Sequence, residues 1–170
     1  MLHIYHGNGK GKTTAAVGLT VRAAGSGMIT AFVQFLKNGT SSEISQLRAL
    51  GVTVMAAESC TKFTFQMNEA EKARLIAEHD TMLDRCRQLI EEGVQLLVLD
   101  ELVGAYDKSL LSRDKVIELL DTAKEKGCET VLTGRGPAPE LGERADYITE
   151  MKAVRHPYEK GTSARKGIEY

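Results

Sequence analysis

Cysteine, charge imbalance and long apolar runs are all scarce in this chain of 170 residues. The cysteines Cys60, Cys86 and Cys128 lie far apart and form no C-x-x-C pair. An odd, scattered set fits a reducing compartment and argues against a disulfide scaffold. Cys86 falls in a helical apolar stripe and Cys128 just before a strand, so both are expected in the core, whereas Cys60 falls in a loop as a free thiol. Cysteine and histidine show no zinc-ligand spacing. A G-x-S-x-G elbow is missing too, which removes the usual sign of a serine hydrolase. No apolar run approaches the ~18 residues of a membrane span, and no signal segment precedes the first strand. The expectation is a soluble cytoplasmic protein without a membrane partner.

Charge is balanced, with 22 basic against 23 acidic residues. A global preference for nucleic acid or an anionic surface is therefore not indicated. Basic residues do gather at 151–170, where Lys152, Arg155, Lys160, Arg165 and Lys166 stand against Glu159 and Glu169. A solvated tail is the ordinary reading, and nearness to a phosphate site is the other. With 42% hydrophobic residues and no repeat or low-complexity linker, residues 1–170 read as one domain with 151–170 as a polar C-terminal tail.

What is present is an alternation of strands and helices. Segments 2–6, 28–35, 52–56, 94–100, 129–134 and 146–151 read as strands. Helical spacing covers 13–25, 43–51, 69–92 and 113–126, with a short helical piece after Pro137 and Pro139. Asn68 and Glu71 form a capping-box pattern ahead of the third helix. "VQLLVLD" (94–100) is the most apolar strand, as expected where both sheet faces are covered. The fold class is α/β: a mostly parallel sheet with helices on both faces. Ligands of such sheets bind beyond the carboxyl ends of the strands. The first loop and the residues following 94–100 and 129–134 should then share one edge.

"HGNGKGKTT" (His6 to Thr14) is that first loop. The phosphate-binding pattern G-x-x-x-x-G-K-[ST] requires glycine at position 6, which is His. Gly7 comes one residue late, and Gly9 and Lys10 are extra. The dinucleotide pattern G-x-G-x-x-G fits worse, since position 12 is Lys. Strand, glycine loop, G-K-T and helix still occur in the order a phosphate site needs. Gly7, Gly9 and Gly11 let backbone amides approach an anion, and the following helix points its positive end there. Lys12 can reach the outer phosphates, and the Thr13 hydroxyl suits Mg²⁺.

Asp100 and Glu101 end the apolar strand, where carboxylates can organise Mg²⁺ directly or through water. Glu101 either positions an attacking water, as in an ATPase, or serves only the metal; an ordinary strand-end pair is the third possibility. Arg135, between the glycines of "TGRG", suits a bidentate phosphate contact or an exposed turn. His6 and His156 are site candidates by position alone, and His3 and His79 read as structural or exposed.

Taken together, "HGNGKGKTTAAVGLTVRAAGSG", "FVQFLK", "VLDEL", "TGRG" and the closing "ADYITEMKAVRHPYEKGTSARKGIEY" resemble the P-loop type of ATP:corrinoid (cob(I)alamin) adenosyltransferase. The resemblance covers nearly the whole chain, and the loop is the family's own variant. It implies a RecA-like P-loop fold, a homodimer, Mg²⁺ as cofactor, and ATP and a reduced corrinoid as substrates. It implies transfer of the 5′-deoxyadenosyl group to cobalt(I) with release of tripolyphosphate, and a reduced flavoprotein as electron donor. By the same resemblance, Gly7, Asn8, Gly9, Lys10, Gly11, Lys12, Thr13 and Thr14 hold ATP. Thr13 and Glu101 bind the metal with Asp100 beside them, and Lys12 and Arg135 stabilise the leaving triphosphate. Phe63 and Phe65 correspond to the family's aromatic pair at the corrinoid. The second of these is often Trp in relatives, and this chain has no Trp. Only six residues precede Gly7, where many relatives carry a further covering segment. The rival expectation is a P-loop ATPase or kinase with Glu101 as its base.

Overall fold

The computed structural model describes residues 1–157 and 161–169; Glu159 and Lys160 of the basic tail lie outside them. Six strands form one sheet: β1 (Leu2–His6), β2 (Thr30–Gln34), β3 (Thr53–Ala56), β4 (Leu96–Asp100), β5 (Glu129–Thr133) and β6 (Tyr147–Glu150). Their order across the sheet is β3-β2-β4-β5-β1-β6, and every paired neighbour among the described residues is parallel. The helices are α1 (Lys12–Gly25), α2 (Glu43–Ala49), α3 (Glu69–Glu91), α4 (Leu102–Asp107), α5 (Arg113–Glu125) and α6 (Pro139–Gly142).

Two apolar layers flank the sheet, and the pleat assigns residues to them alternately. Leu97 and Leu99 of β4 face the layer that holds α3, α4 and α5, together with Ala31, Val33 and Leu132. Leu96 and Val98 face the layer under α1 and α2, with Phe32 and Val131. Because both faces of β2 and β4 are covered, all residues of those strands are buried. This is why the sequence shows an unbroken apolar run there.

Local rules set most element ends. Asn68 Oδ1 accepts from the Glu71 amide at 2.9 Å, and Glu71 Oε2 accepts from the Asn68 amide at 2.8 Å. The expected capping box is therefore formed at the start of α3. Ser112 caps α5 through the Lys115 amide. The strands expected at 28–35 and 94–100 begin two residues later, because the Met28 and Val94 amides still bond Ala23 O and Leu89 O at the ends of α1 and α3. The helix α4 and a 3-10 turn at Thr64–Gln66 were not expected from sequence. Both are too short to show a helical period. Cys86 and Cys128 are in the core as expected; Cys60 is also buried, inside its loop.

Candidate active site

The carboxyl ends of β1, β4 and β5 meet, as the parallel sheet requires. The loop after β1 is bound to the loop after β5, Gly7 N donating to Arg135 O at 2.7 Å. Residues after β6 close over it from the other side. Met151 N donates to His6 O, Gly9 N to Met151 O (both 2.7 Å), and Ala153 N to Asn8 Oδ1 at 2.9 Å. A Cβ on Gly7 would lie 2.5 Å from Met151 O, and one on Gly9 would lie 2.6 Å from it. The glycines that sit out of register with the usual phosphate-loop pattern are thus the ones the crossing main chain of residues 151–152 demands. Main chain already occupies the Gly7 and Gly9 amides.

Past that crossing, α1 begins at Lys12 after Gly11, which has φ 117° and no side chain to cap the helix. The first-turn amides of a helix have no carbonyl inside it to bind, so the helix presents them and its positive end to the cleft. The Lys12 ammonium donates to Gly7 O and Gly9 O, each at 2.8 Å. Burial lowers the Lys12 pKa, Glu101 pulls it back up and Arg135 presses it down.

Asp100 is fully buried and collects the site. Its Oδ1 accepts from Thr13 Oγ1 at 2.8 Å and from Thr133 Oγ1 at 2.7 Å. Its Oδ2 accepts from Lys37 Nζ at 2.6 Å and from Gln34 Nε2 at 3.5 Å. Thr133 Oγ1 also accepts from the Glu101 amide at 2.8 Å. Glu101 has φ 61°, in the left-handed region that non-glycine residues seldom enter. That turn takes its carboxyl out of the strand direction. Burial, then the charge of Asp100, raises the Glu101 pKa against the pull of Lys37, Lys12 and Arg135.

Lys37 was not singled out in the sequence. Its signal in the sequence is its place in the turn three residues beyond the fully buried strand β2, on the same carboxyl edge as Asp100, which ends β4. Burial opposes its charge, but the charge and hydrogen bond of Asp100, helped by Glu101 and Glu43, raise its pKa above the ordinary lysine range.

Two cavities open on this edge. One, of about 400 Å³, lies between Thr13, Thr14, Lys37, Ser41, Glu43 and the tail residue Ile168. The other, of about 540 Å³, lies between Leu36, Lys37, Ser41, Lys62, Phe63 and Lys108. Phe63 and Phe65 do not pack into the core: they are 70% and 82% exposed. Their rings stack on each other at 5.5 Å. The tail reaches the first cavity through Gly167–Glu169, and its Arg165 is paired with Glu169. Arg135 and Lys10 are exposed at the rim. His156 lines a separate small cavity. His79 is structural: it is buried, and its ring bridges Leu110 O and the Leu36 amide.

Oxygen donors dominate the centre: Thr13, Asp100, Glu101 and Gln34 Oε1. The last is buried without a hydrogen-bond partner among the described residues. Such a set fits a hard cation. The described residues hold no cluster of three or more His, Cys, Asp or Glu.

Comparison with known proteins agrees with this arrangement. A KaiC-like protein from Pyrococcus horikoshii superposes with a TM-score of 0.52 at 16% identity, covering 99% of this chain and 66% of that one. This likeness establishes the P-loop, RecA-like fold. The corrinoid adenosyltransferase of Pseudomonas aeruginosa is 35% identical over 100% of this chain and 83% of its own length. The corrinoid adenosyltransferase CobA of Salmonella typhimurium is 34% identical over 98% of this chain and 84% of its own. The profile of the family described as ATP:corrinoid adenosyltransferase BtuR/CobO/CobP matches residues 1–170. With a phosphate-loop fold, relatives above 30% identity and a match along its whole length, this chain belongs to the ATP:corrinoid adenosyltransferases, a family of transferases.

Proposed function

We propose that this chain transfers the 5′-deoxyadenosyl group of ATP to the cobalt(I) of a corrinoid, releasing tripolyphosphate. One observation supports this over hydrolysis. The cavity at the helix N-terminus, which suits a triphosphate, shares a wall with a second cavity lined by Phe63, whose exposed ring stacks on that of Phe65. Hydrolysis would use only the first cavity. Transfer to a large, flat, largely apolar acceptor needs the second.

In the reaction, the cobalt(I) electron pair forms the cobalt–carbon bond, and the electrons of the C5′–O bond leave with the triphosphate. No proton has to move, so no general base is needed, and the protein's task is to position and neutralise. The first-turn amides of α1, with Lys12, Lys10 and Arg135, bear on the triphosphate. Thr14 lines the nucleotide cavity, and the backbone of Gly7, Asn8, Gly9 and Gly11 shapes the loop. Thr13 and Glu101 would hold Mg²⁺, and Asp100 fixes Thr13. The ion would neutralise phosphate charge. Phe63 and Phe65 offer an apolar platform to the corrinoid. A flavoprotein is the proposed source of the reducing electron, a homodimer the proposed assembly and the cytoplasm the proposed compartment.

The test is incubation with ATP, Mg²⁺ and chemically reduced cobalamin. The expected products are the cobalt–carbon chromophore and tripolyphosphate in equal amounts. Formation of ADP without corrinoid would instead establish the ATPase or kinase with Glu101 as base. Lys12→Ala should lower turnover by roughly 10²–10³-fold, as loss of one preorganised charge-stabilising donor does.

A further inference from the structure

The two cavities have Lys37 and Ser41 in common, and Lys37 is the cation they share. Of the other lysines lining the corrinoid-side cavity, Lys62 is paired with Glu71 and Lys108 bonds Thr64. The backbone that carries Lys37 is held on several sides. Leu36, just before it, has φ 54°, a strained conformation for a residue with a side chain, which persists only where the surroundings impose it. Here Phe35 N donates to Asp100 O at 2.9 Å, Ala57 N donates to Lys37 O at 3.0 Å, and His79 Nε2 accepts from the Leu36 amide at 3.4 Å. Leu36 and Glu101 are thus both left-handed, at the carboxyl ends of the neighbouring strands β2 and β4. The strain serves to aim Lys37, whose ammonium ends 2.6 Å from Asp100 Oδ2 and 3.3 Å from Thr13 Oγ1.

We propose that Lys37 is a further catalytic residue, which contacts the triphosphate at its ribose end and takes up negative charge as the C5′–O bond breaks. This inference rests on the adenosyl-transfer reading. In that reaction the transferred carbon must pass from the nucleotide cavity to the corrinoid cavity, and the shared wall is where it passes. An ammonium has three donors. Asp100 and Thr13 engage two, and the third serves the phosphate oxygen next to the ribose. Lys12, anchored on Gly7 O and Gly9 O, lies within the loop and serves the remainder of the triphosphate. The electron pair released from carbon ends on the triphosphate oxygen, and Lys37 stays protonated throughout.

The test compares Lys37→Gln, Lys37→Ala and Lys37→Arg in the full chain, with ATP, Mg²⁺ and chemically reduced cobalamin. Each variant is read by kcat, KM for ATP and Tm. Gln keeps a donor to Asp100 but loses the charge, so a purely structural lysine would be largely replaced by it. The expected result is a kcat about 10²–10³-fold lower for Lys37→Gln, with KM for ATP changed by less than about tenfold. Lys37→Arg should retain most turnover, and added methylammonium should restore part of the kcat of Lys37→Ala. A Lys37→Gln kcat within about threefold of the parent, or losses that only track the unfolded fraction, would overturn the proposal. Should the variants not fold, acetylation of the unmodified chain decides. ATP with Mg²⁺ should slow labelling of Lys37 relative to Lys126, and equal rates with and without ATP overturn the assignment. Failure of the unmodified chain to make a cobalt–carbon bond would overturn the functional reading itself, and this proposal with it.

Discussion

Gly9→Ala and Gly18→Ala should shift stability in opposite directions, although both add one methyl near the start of the chain. At Gly9 the new Cβ would meet main chain: Met151 O at 2.6 Å, Lys152 C at 2.8 Å and Met151 C at 2.9 Å. Carbon contacts are comfortable only at about 3.5–4.0 Å, so residues 151–152 must retreat by roughly 1 Å. The Gly9 N to Met151 O bond, now 2.7 Å, then lengthens past usefulness. Its loss costs about 1 kcal/mol, and overpacking adds about 1–3 kcal/mol. The stiffer unfolded chain returns about 0.4–1 kcal/mol. The net destabilisation is about 1–3.5 kcal/mol, and at about 2–4 °C per kcal/mol for a chain of this size Tm falls by roughly 2–14 °C. Turnover should fall too, since Gly9 O holds the Lys12 ammonium at 2.8 Å. At Gly18, inside α1, an added Cβ meets nothing within 4 Å. Alanine there should stabilise by about 0.8–1.0 kcal/mol through helix propensity alone. Thermal unfolding of both variants is the assay. A Gly9→Ala protein at least as stable as the parent would refute the claim that residues 151–152 press on the loop.

Phe65→Ala should leave Tm and ATP affinity nearly unchanged, because the ring is 82% exposed and lies outside the core; stopped-flow formation of the alkyl-cobalt product from cobalt(II) should be where it fails. Thr133→Val should cost about 2–3 kcal/mol in denaturant unfolding, since it removes one hydrogen bond to the buried Asp100 carboxylate and one from the Glu101 amide. His79 makes stability depend on pH. Burial lowers its folded pKa below the ordinary 6.5, against the upward pull of the Leu110 carbonyl, Glu78 and Asp80. The unfolded chain therefore takes the proton more readily, and the His79 contribution is intact above pH ~6.5 and lost as pH falls through the folded value. Urea midpoints measured across that window should decline for the parent, and the decline should flatten in His79→Gln.

Much of this fold can be read locally. The strand–helix alternation follows from hydrophobic period, and the unbroken apolar run of β4 from burial on both faces. Asn68 and Glu71 announce the start of α3 because a capping box involves only residues three apart. The glycine loop, Lys12 and Thr13, and the strand-end pair Asp100 and Glu101 carry their chemistry in residue type and order. Their meeting at one sheet edge follows from the parallel topology.

Other features depend on which strands become neighbours, and pairing over long separations leaves no local periodic signal. Thr13 and Asp100 are 87 residues apart in the chain. They bond because α1 packs across β4, and the place of β4 between β2 and β5 brings Gln34 and Thr133 to the same carboxylate. The left-handed turns at Leu36 and Glu101 are imposed by those neighbours and by His79, since neither residue type favours positive φ. The sequence alone determined that a glycine-rich loop follows β1 and precedes a helix. Only the tertiary structure decided why Gly7 and Gly9 stand where they do. Backbone from beyond β6 crosses them at a distance no side chain allows.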